Sequence, residues 1–256
     1  MEFSAATWNL LAQAYVNADR YPRCAAGDLN TGDRRQLTLR TARDLDADVL
    51  LLQEVEPELY DELADTLGRE YEGHYAQRKA RPDGCAIFAR KPKFRIIRST
   101  VLPYVVPGGH LALLAELEAE HGRVCIACTH LRWQSADTPE DQHLGCSQMR
   151  ELLSYRREFA PEDARWILSG DFNATPNSSV VNAARASGLS LGCELQRPWH
   201  TVNINGRKRK LDYLLYTRSS LRASPLSLPT LSTDTPMPSE THASDHLPVV
   251  VRFRFM

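Results

Sequence analysis

The chain has 256 residues, 43% hydrophobic and 25% charged, with a net charge of −1 and a pI near 6.7. That balance supplies a sizeable core, excludes global disorder and fits one large domain over 1–256. Near-neutral charge excludes non-specific nucleic-acid binding through the field of the whole molecule, so a polyanionic ligand has to be attracted locally.

Nine runs rich in Val, Ile, Leu and aromatic residues predict strands at 3–11, 49–55, 85–89, 94–102, 111–117, 123–131, 165–168, 211–217 and 248–255. Nine strands suggest two sheets rather than one. Helical spacing appears between them. Residues 34–46 carry Leu37, Leu39, Ala42 and Leu45 and lead into the second strand; 58–67, 140–159 and 177–186 read the same way. Helices alternating with strands predict a layered α/β protein. The last strand alternates, with Val249, Val251, Phe253 and Phe255 on one face and Val250, Arg252 and Arg254 on the other. Residues 221–243, rich in Ser, Thr and Pro, predict a long surface loop that either connects or carries function.

The N-terminus has no basic start followed by an apolar core, and no stretch reaches bilayer-spanning length. A soluble, unprocessed, cytoplasmic protein without a membrane partner is expected. The six cysteines lack the density of a disulfide scaffold. Cys125 and Cys128 have C-x-x-C spacing, but without a second pair or a histidine nearby they read as buried structural thiols.

Polar residues stand at the ends of the apolar runs: Asn9, Glu54, His130, Asp171 and Asn173, Asp212, and Asp245-His246. Alone, each reads as a turn residue meeting water. Together, three aspartates, a glutamate, two asparagines and two histidines suit metal-assisted phosphoryl chemistry. Their oxygens favour a hard cation, Mg²⁺ with Mn²⁺ as a substitute, over zinc. Asp171 and Asn173, at strand spacing, point the same way: an ionised carboxylate takes a proton from water, and a carboxamide donates without repelling phosphate.

Trp8-Asn9-Leu10-Leu11-Ala12-Gln13, Leu52-Gln53-Glu54-Val55, Pro82-Asp83-Gly84-Cys85-Ala86-Ile87-Phe88, Thr129-His130-Leu131, Gly170-Asp171-Phe172-Asn173, Leu211-Asp212-Tyr213 and Ser244-Asp245-His246 occur in one order. In that order they resemble the endonuclease/exonuclease/phosphatase superfamily, and within it the nocturnin, Angel and deadenylase group. The resemblance runs from Trp8 to the last strand. It implies a four-layer α/β sandwich, two packed, mainly antiparallel β-sheets flanked by helices. It also implies roles: Glu54 as principal Mg²⁺ ligand assisted by Asn9 and Asp245, Asp171 orienting or deprotonating the attacking water, and Asn173 holding a phosphate oxygen. His130 and His246 would contact the phosphoryl group from two sides, with Asp212 fixing the tautomer and charge of His246. One departure stands out. A basic residue common three positions before the helix glutamine is replaced by Gly145, before Gln148. Arg132, His143 or the cluster Arg207-Lys208-Arg209-Lys210 are the candidate substitutes, the cluster reading otherwise as a solvated loop.

The expected substrate is an RNA 3′ end, cut as by a 3′-to-5′ exoribonuclease or processed at a terminal or cyclic phosphate. Small nucleotides or dinucleotides are the alternative, and a non-catalytic RNA-binding module a third reading. A monomer is expected. Trp133 and Trp199 either stack a terminal base or pack in the core. Specificity is expected in loops 17–33 and 134–140.

Overall fold

A computed structural model describes residues 1–135, 137–193 and 199–256, so residue 136 of the second expected specificity loop lies outside the described residues. Among these residues the chain forms, in order, β1 (Glu2–Asn9), α1 (Thr31–Asp44), β2 (Val49–Val55), α2 (Pro57–Leu67), β3 (Tyr71–Gln77), β4 (Gly84–Arg90), β5 (Arg95–Pro103), β6 (Leu111–Ala119), β7 (Gly122–His130), α3 (Leu144–Phe159), β8 (Trp166–Asp171), α4 (Ser179–Ala186), β9 (Leu189–Leu191), β10 (Val202–Ile204), β11 (Arg207–Arg209), β12 (Asp212–Thr217), β13 (Leu221–Pro225) and β14 (Val249–Phe255).

Two six-stranded sheets result, ordered β13-β14-β1-β2-β4-β3 and β5-β6-β7-β8-β12-β9, with β10-β11 a separate ribbon. Each large sheet has one parallel pair at its middle, β1/β2 and β7/β8, and is otherwise antiparallel. The parallel pairs arise where a helix, α1 or α3, carries the chain back across the sheet. The expected mainly antiparallel sandwich is therefore present, with a βαβ unit inside each half.

Alternation along the strands sets the layers. In the first sheet Phe3, Ala5, Val49, Leu51, Ile87, Val251 and Phe253 face the second sheet, where Ile126, Ile167, Leu214 and Tyr216 meet them. Their neighbours Trp8, Leu50, Leu52 and Phe88 turn outward onto Leu39 and Ala42 of α1 and Leu59 and Leu63 of α2. Trp166, outward on β8, packs on Phe159 of α3 at 5.8 Å between ring centroids. Each such buried Leu or Phe stabilises the fold by roughly 1.5–3 kcal/mol.

Some boundaries differ from the sequence expectation. The loop expected over 221–243 opens with β13, which pairs with β14. β3, β9, β10 and β11 were not expected: three of them have only three residues each, and β3, YEGHYAQ, is a polar edge strand. α3 starts at Leu144 because His143 Nδ1 caps it, accepting from Cys146 N at 3.2 Å. Cys125 and Cys128 are buried in β7 as free thiols, three residues apart and so on opposite faces.

Two glycines are required by close backbone approach. A Cβ on Gly170, whose φ is +141°, would lie 1.8 Å from the Thr129 carbonyl oxygen across the parallel pair. On Gly84 it would lie 2.0 Å from the Ala76 oxygen. Gly170→Ala is expected to destabilise the chain by about 3 kcal/mol through backbone strain, read as a lower denaturation midpoint in urea. An unchanged midpoint would show that β7 and β8 do not approach this closely.

Candidate active site

Strand alternation brings the polar residues together. Asn9 continues the inward face of β1 and Asp171 that of β8; His130 pairs with Asp171 across β7/β8, and Asp212 pairs with Asp171 across β8/β12. All four therefore stand on the inner faces at the same edge of the sandwich. His246 and Asp245 enter from the segment before β14, pinned by Trp8 Nε1–H donating to His246 O at 3.0 Å and Ser244 Oγ donating to Asn9 O at 2.7 Å.

Glu54 is the exception to simple alternation, which would send it outward with Leu52. A β-bulge between Gln53 and Val55 and a left-handed φ of +55° turn its carboxylate to the edge. There Glu54 Oε1 accepts from Asn9 Nδ2 at 3.1 Å and Oε2 from Ala12 N at 3.0 Å.

Asp171 sits at the centre. Its Oδ2 accepts from Asn9 Nδ2 at 3.1 Å and lies 3.6 Å from Nε2 of both His130 and His246. Its Oδ1 accepts from Asn173 N at 2.8 Å. His246 Nδ1 meets both Asp212 oxygens at 2.9 and 3.0 Å. The structure thus joins every residue expected from the sequence: Asn9, Glu54, His130, Asp171, Asn173, Asp212, Asp245 and His246.

Two of the expected contacts look different in detail. Both Asn173 Nδ2 hydrogens are taken, by His130 Nε2 and by Leu131 O, each at 2.9 Å, so its NH₂ reaches a phosphate only by releasing one of them. Asn9 turns its NH₂ to Glu54 and Asp171 and its oxygen to Leu11 N at 3.0 Å, bridging the carboxylates rather than presenting an oxygen between them.

The electrostatics separate the two histidines. Burial opposes charge on His246, but the Asp212 and Asp171 carboxylates outweigh it and hold its pKa well above 6.5. Burial dominates at His130 and lowers its pKa to about 4, Arg78 and His110 adding to the effect against Asp171. Burial also raises Glu54, reinforced by Asp245, and raises Asp171 against the pull of His246.

Carboxylate oxygens packed this closely fit a hard divalent cation. Glu54 and Asp245 are the fitting pair, both buried, with Asp245 adding to the burial that raises the pKa of Glu54. Buried His130 Nδ1 has no hydrogen-bond partner among the described residues and faces Glu54 Oε1 at 3.8 Å. Asp171, Asp212 and His246 also place ligand atoms within 4.8 Å of one another, but a cation there would displace the His246–Asp212 hydrogen bonds.

Several residues went unnoticed in the sequence. Tyr21, buried inside the expected specificity loop, donates to Asp245 Oδ2 at 3.0 Å. Arg78 pairs with Asp83 at 2.6 Å and lines the cleft. Asp83 lay in the quoted P-D-G segment, whereas nothing local marked Arg78. Arg207 and Arg209 wall the cleft from β11 and Arg132 from the segment after β7, while Lys208 turns away to Leu231 O. Two of the cluster's four residues, Arg207 and Arg209, are thus cleft wall rather than solvated loop. His143 serves as the α3 cap. Trp133 is 59% exposed and lines the cleft; Trp199 is 9% exposed and packs on Tyr213 under Lys210.

The sequence profile of the Endonuclease/Exonuclease/phosphatase family matches residues 6–246. Nocturnin of Rattus norvegicus is 30% identical over 283 residues, covering 97% of this chain and 64% of that relative. The 2′,5′-phosphodiesterase 12 of Homo sapiens is 24% identical over 311 residues, covering 95% of this chain and 50% of the relative. The chain therefore spans less than two thirds of the length of either. Among solved structures, ANGEL2, a 2′,3′-cyclic phosphatase, in complex with adenosine-2′,3′-vanadate, has the same fold, with a TM-score of 0.89 at 22% identity over 100% of this chain and 96% of that one. The human nocturnin catalytic domain with bound sulfate has a TM-score of 0.77 at 26% identity, over 100% and 95%. The profile match spans every site residue from Asn9 to His246, and the chain belongs to the endonuclease/exonuclease/phosphatase family.

Proposed function

We propose that the chain is a divalent-cation-dependent hydrolase of phosphoric esters at RNA 3′ ends, acting as a 3′-to-5′ exoribonuclease or on a terminal or cyclic phosphate. The observation that carries this reading is Asp171 Oδ2 set 3.6 Å from two imidazoles in an arginine-walled cleft. Similarity to nocturnin, to a 2′,3′-cyclic phosphatase and to a 2′,5′-phosphodiesterase supports the ester class.

Asp171 acts as the base. Asn173 N–H fixes one oxygen, burial raises its proton affinity, and the other oxygen faces the space where water attacks. His246, kept protonated by Asp212, donates to a phosphoryl oxygen as charge develops there. His130 contacts the phosphoryl group from the other side as a neutral ring, its tautomer set by Asn173 donating to Nε2. Glu54 and Asp245, with Asn9 beside them, would hold Mg²⁺, or Mn²⁺ in its place. When bound, such a cation would supply positive charge to offset the charge developing on the phosphoryl group.

Short 5′-labelled RNAs ending in 3′-OH, 3′-phosphate or 2′,3′-cyclic phosphate, incubated with Mg²⁺ or chelator and resolved by mass, test the reading. A chelator-sensitive ladder is expected of an exonuclease, and a change confined to the end of an end-processing enzyme. RNAs emerging intact, with nucleotides or dinucleotides hydrolysed, would move the substrate to small molecules.

Three substitutions assign the roles. Asp171→Asn is expected to lower turnover by at least about 10³-fold with binding retained. Glu54→Ala should raise the Mg²⁺ concentration giving half-maximal rate; an unmoved titration removes it as a ligand. Asp212→Asn should cut kcat by about 10²-fold and shift the alkaline limb of the rate profile to lower pH. The sign follows from the raised His246 pKa: the ion pair's contribution is complete below about 6.5 and is lost as pH rises through the folded value. A pH profile identical to wild type would separate Asp212 from the charge on His246.

A further inference from the structure

Behind the Glu54–Asp245 pair lies a buried arginine that the chemistry of the cleft does not use. Arg34, in α1, is 6% exposed and is not among the residues that line the cleft over Asp171. Its guanidinium donates through Nη1 to Ala243 O, through Nη2 to Leu11 O and through Nε to Gln13 Oε1 at 3.2 Å. Among the described residues no carboxylate pairs with it. Burying a charge without a contacting counter-charge is costly, and an apolar side chain of similar size would pack α1 as well. The bonds that Arg34 makes therefore point to a task other than packing.

Its three acceptors belong to two segments. Leu11 and Gln13 follow Asn9 at the end of β1, and Ala243 leads into Ser244 and Asp245 before β14. Leu11 has a left-handed φ of +57°, a conformation that a leucine rarely adopts. Its N–H donates to Asn9 Oδ1 at 3.0 Å, and the next amide, Ala12 N, donates to Glu54 Oε2 at 3.0 Å. On the other segment Tyr21, fully buried, donates to Asp245 Oδ2 at 3.0 Å. Asn9, Glu54 and Asp245 are thus each fixed from behind by bonds that lead to Arg34 or Tyr21. A planar guanidinium satisfies two carbonyls at once in one rigid geometry, which a single ammonium does not.

We infer that Arg34 and Tyr21 are positioning residues of the cation site, setting the spacing of the Asn9, Glu54 and Asp245 side chains before a divalent cation arrives and so favouring Mg²⁺ over larger ions. Arg34 does so by tying Leu11 to Ala243, and Tyr21 by holding one oxygen of Asp245. Mg²⁺ demands near-ideal geometry, whereas Ca²⁺ accepts a flexible cage, so a loosened site loses more affinity for Mg²⁺ than for Ca²⁺. This rests on the cation reading of Glu54 and Asp245, but the binding it describes needs no turnover.

The test is made on the chain without substrate. Bound Mn²⁺ is read from the paramagnetic resonance signal of the free ion, and Mg²⁺ and Ca²⁺ are then titrated in as competitors. Arg34→Ala is expected to weaken Mn²⁺ by about tenfold or more and Mg²⁺ by a larger factor than Ca²⁺. Millimolar guanidinium should restore both affinity and selectivity, and Arg34→Lys, which keeps the charge but not the fork, should restore less. Tyr21→Phe, which removes one hydroxyl, should weaken Mn²⁺ by about fivefold. Wild-type affinities in Arg34→Ala and Tyr21→Phe would overturn the inference, as would equal losses of Mg²⁺ and Ca²⁺ without guanidinium rescue. Should Arg34→Ala fail to fold, Arg34→Lys and Tyr21→Phe decide it, wild-type affinity and selectivity in both overturning it. Glu54→Ala separates this from the reading beneath it: Mn²⁺ lost with Glu54→Ala but kept with Arg34→Ala and Tyr21→Phe sinks the positioning role alone. A wild-type chain that holds no Mn²⁺ sinks the cation site itself, and Mn²⁺ held as expected without hydrolysis of any RNA leaves the positioning role standing and sinks the hydrolase.

Discussion

The hydrogen bond from Asn9 Nδ2 to Asp171 Oδ2, 3.1 Å long, crosses from one sheet to the other, and the site exists because the two sheets meet there. Beneath it Gln53 Nε2 donates to Thr7 Oγ1 at 3.1 Å and to Cys128 Sγ at 3.2 Å, and Cys128 donates on to Leu52 O at 3.3 Å. These bonds are buried, so any slip between the sheets would leave polar atoms unpaired at about 1–3 kcal/mol each. The apolar interior alone would tolerate small sliding. The polar seam at its edge fixes how the parallel pairs β1/β2 and β7/β8 face each other, and with them Glu54 and His130, 3.8 Å apart on opposite sheets.

The same edge concentrates negative charge out of water. Asp212 is answered by His246, and Asp83 by Arg78. Glu54, Asp171 and Asp245 are held mainly by neutral donors: the Asn9 NH₂, the Ala12 and Asn173 amides and the Tyr21 hydroxyl. Neutral donors orient carboxylates but do not neutralise them, which is why burial raises both Glu54 and Asp171. A divalent cation on the Glu54–Asp245 side would reverse that for Glu54.

How much of this could be read from the sequence depends on the range of the cause. Long apolar runs such as VLLLQEV and the alternation of 249–255 are local, and they showed the strands, the two sheets and the helices between them. The site residues were legible as polar side chains ending those runs and, jointly, as an ordered set of motifs. What was hidden depends on contacts across the fold. No sequence pattern announces that Glu54 takes a left-handed φ in a bulge; plain alternation aims it at the helices. Arg207 and Arg209 look like part of a solvated run until the β10/β11 ribbon lays them on the cleft, sending Lys208 the other way. The three-residue strands are too short to carry a period. Trp199 and Trp133 were indistinguishable by sequence and fall on opposite sides of the core boundary.

A net charge of −1 and an arginine-walled cleft are compatible because charge acts over short range in salt. Some acidic groups elsewhere on the surface are paired locally, as Glu116 and Glu118 are with Arg98, Arg95 and Arg123. Among the cleft arginines, Arg78 is held by Asp83, whereas Arg20, Arg81, Arg132, Arg207 and Arg209 form no ion pair among the described residues and leave positive charge on the cleft wall. A uniformly basic surface would hold long polyanions anywhere along their length. A near-neutral surface with arginines gathered at one cleft attracts a phosphate at that cleft first.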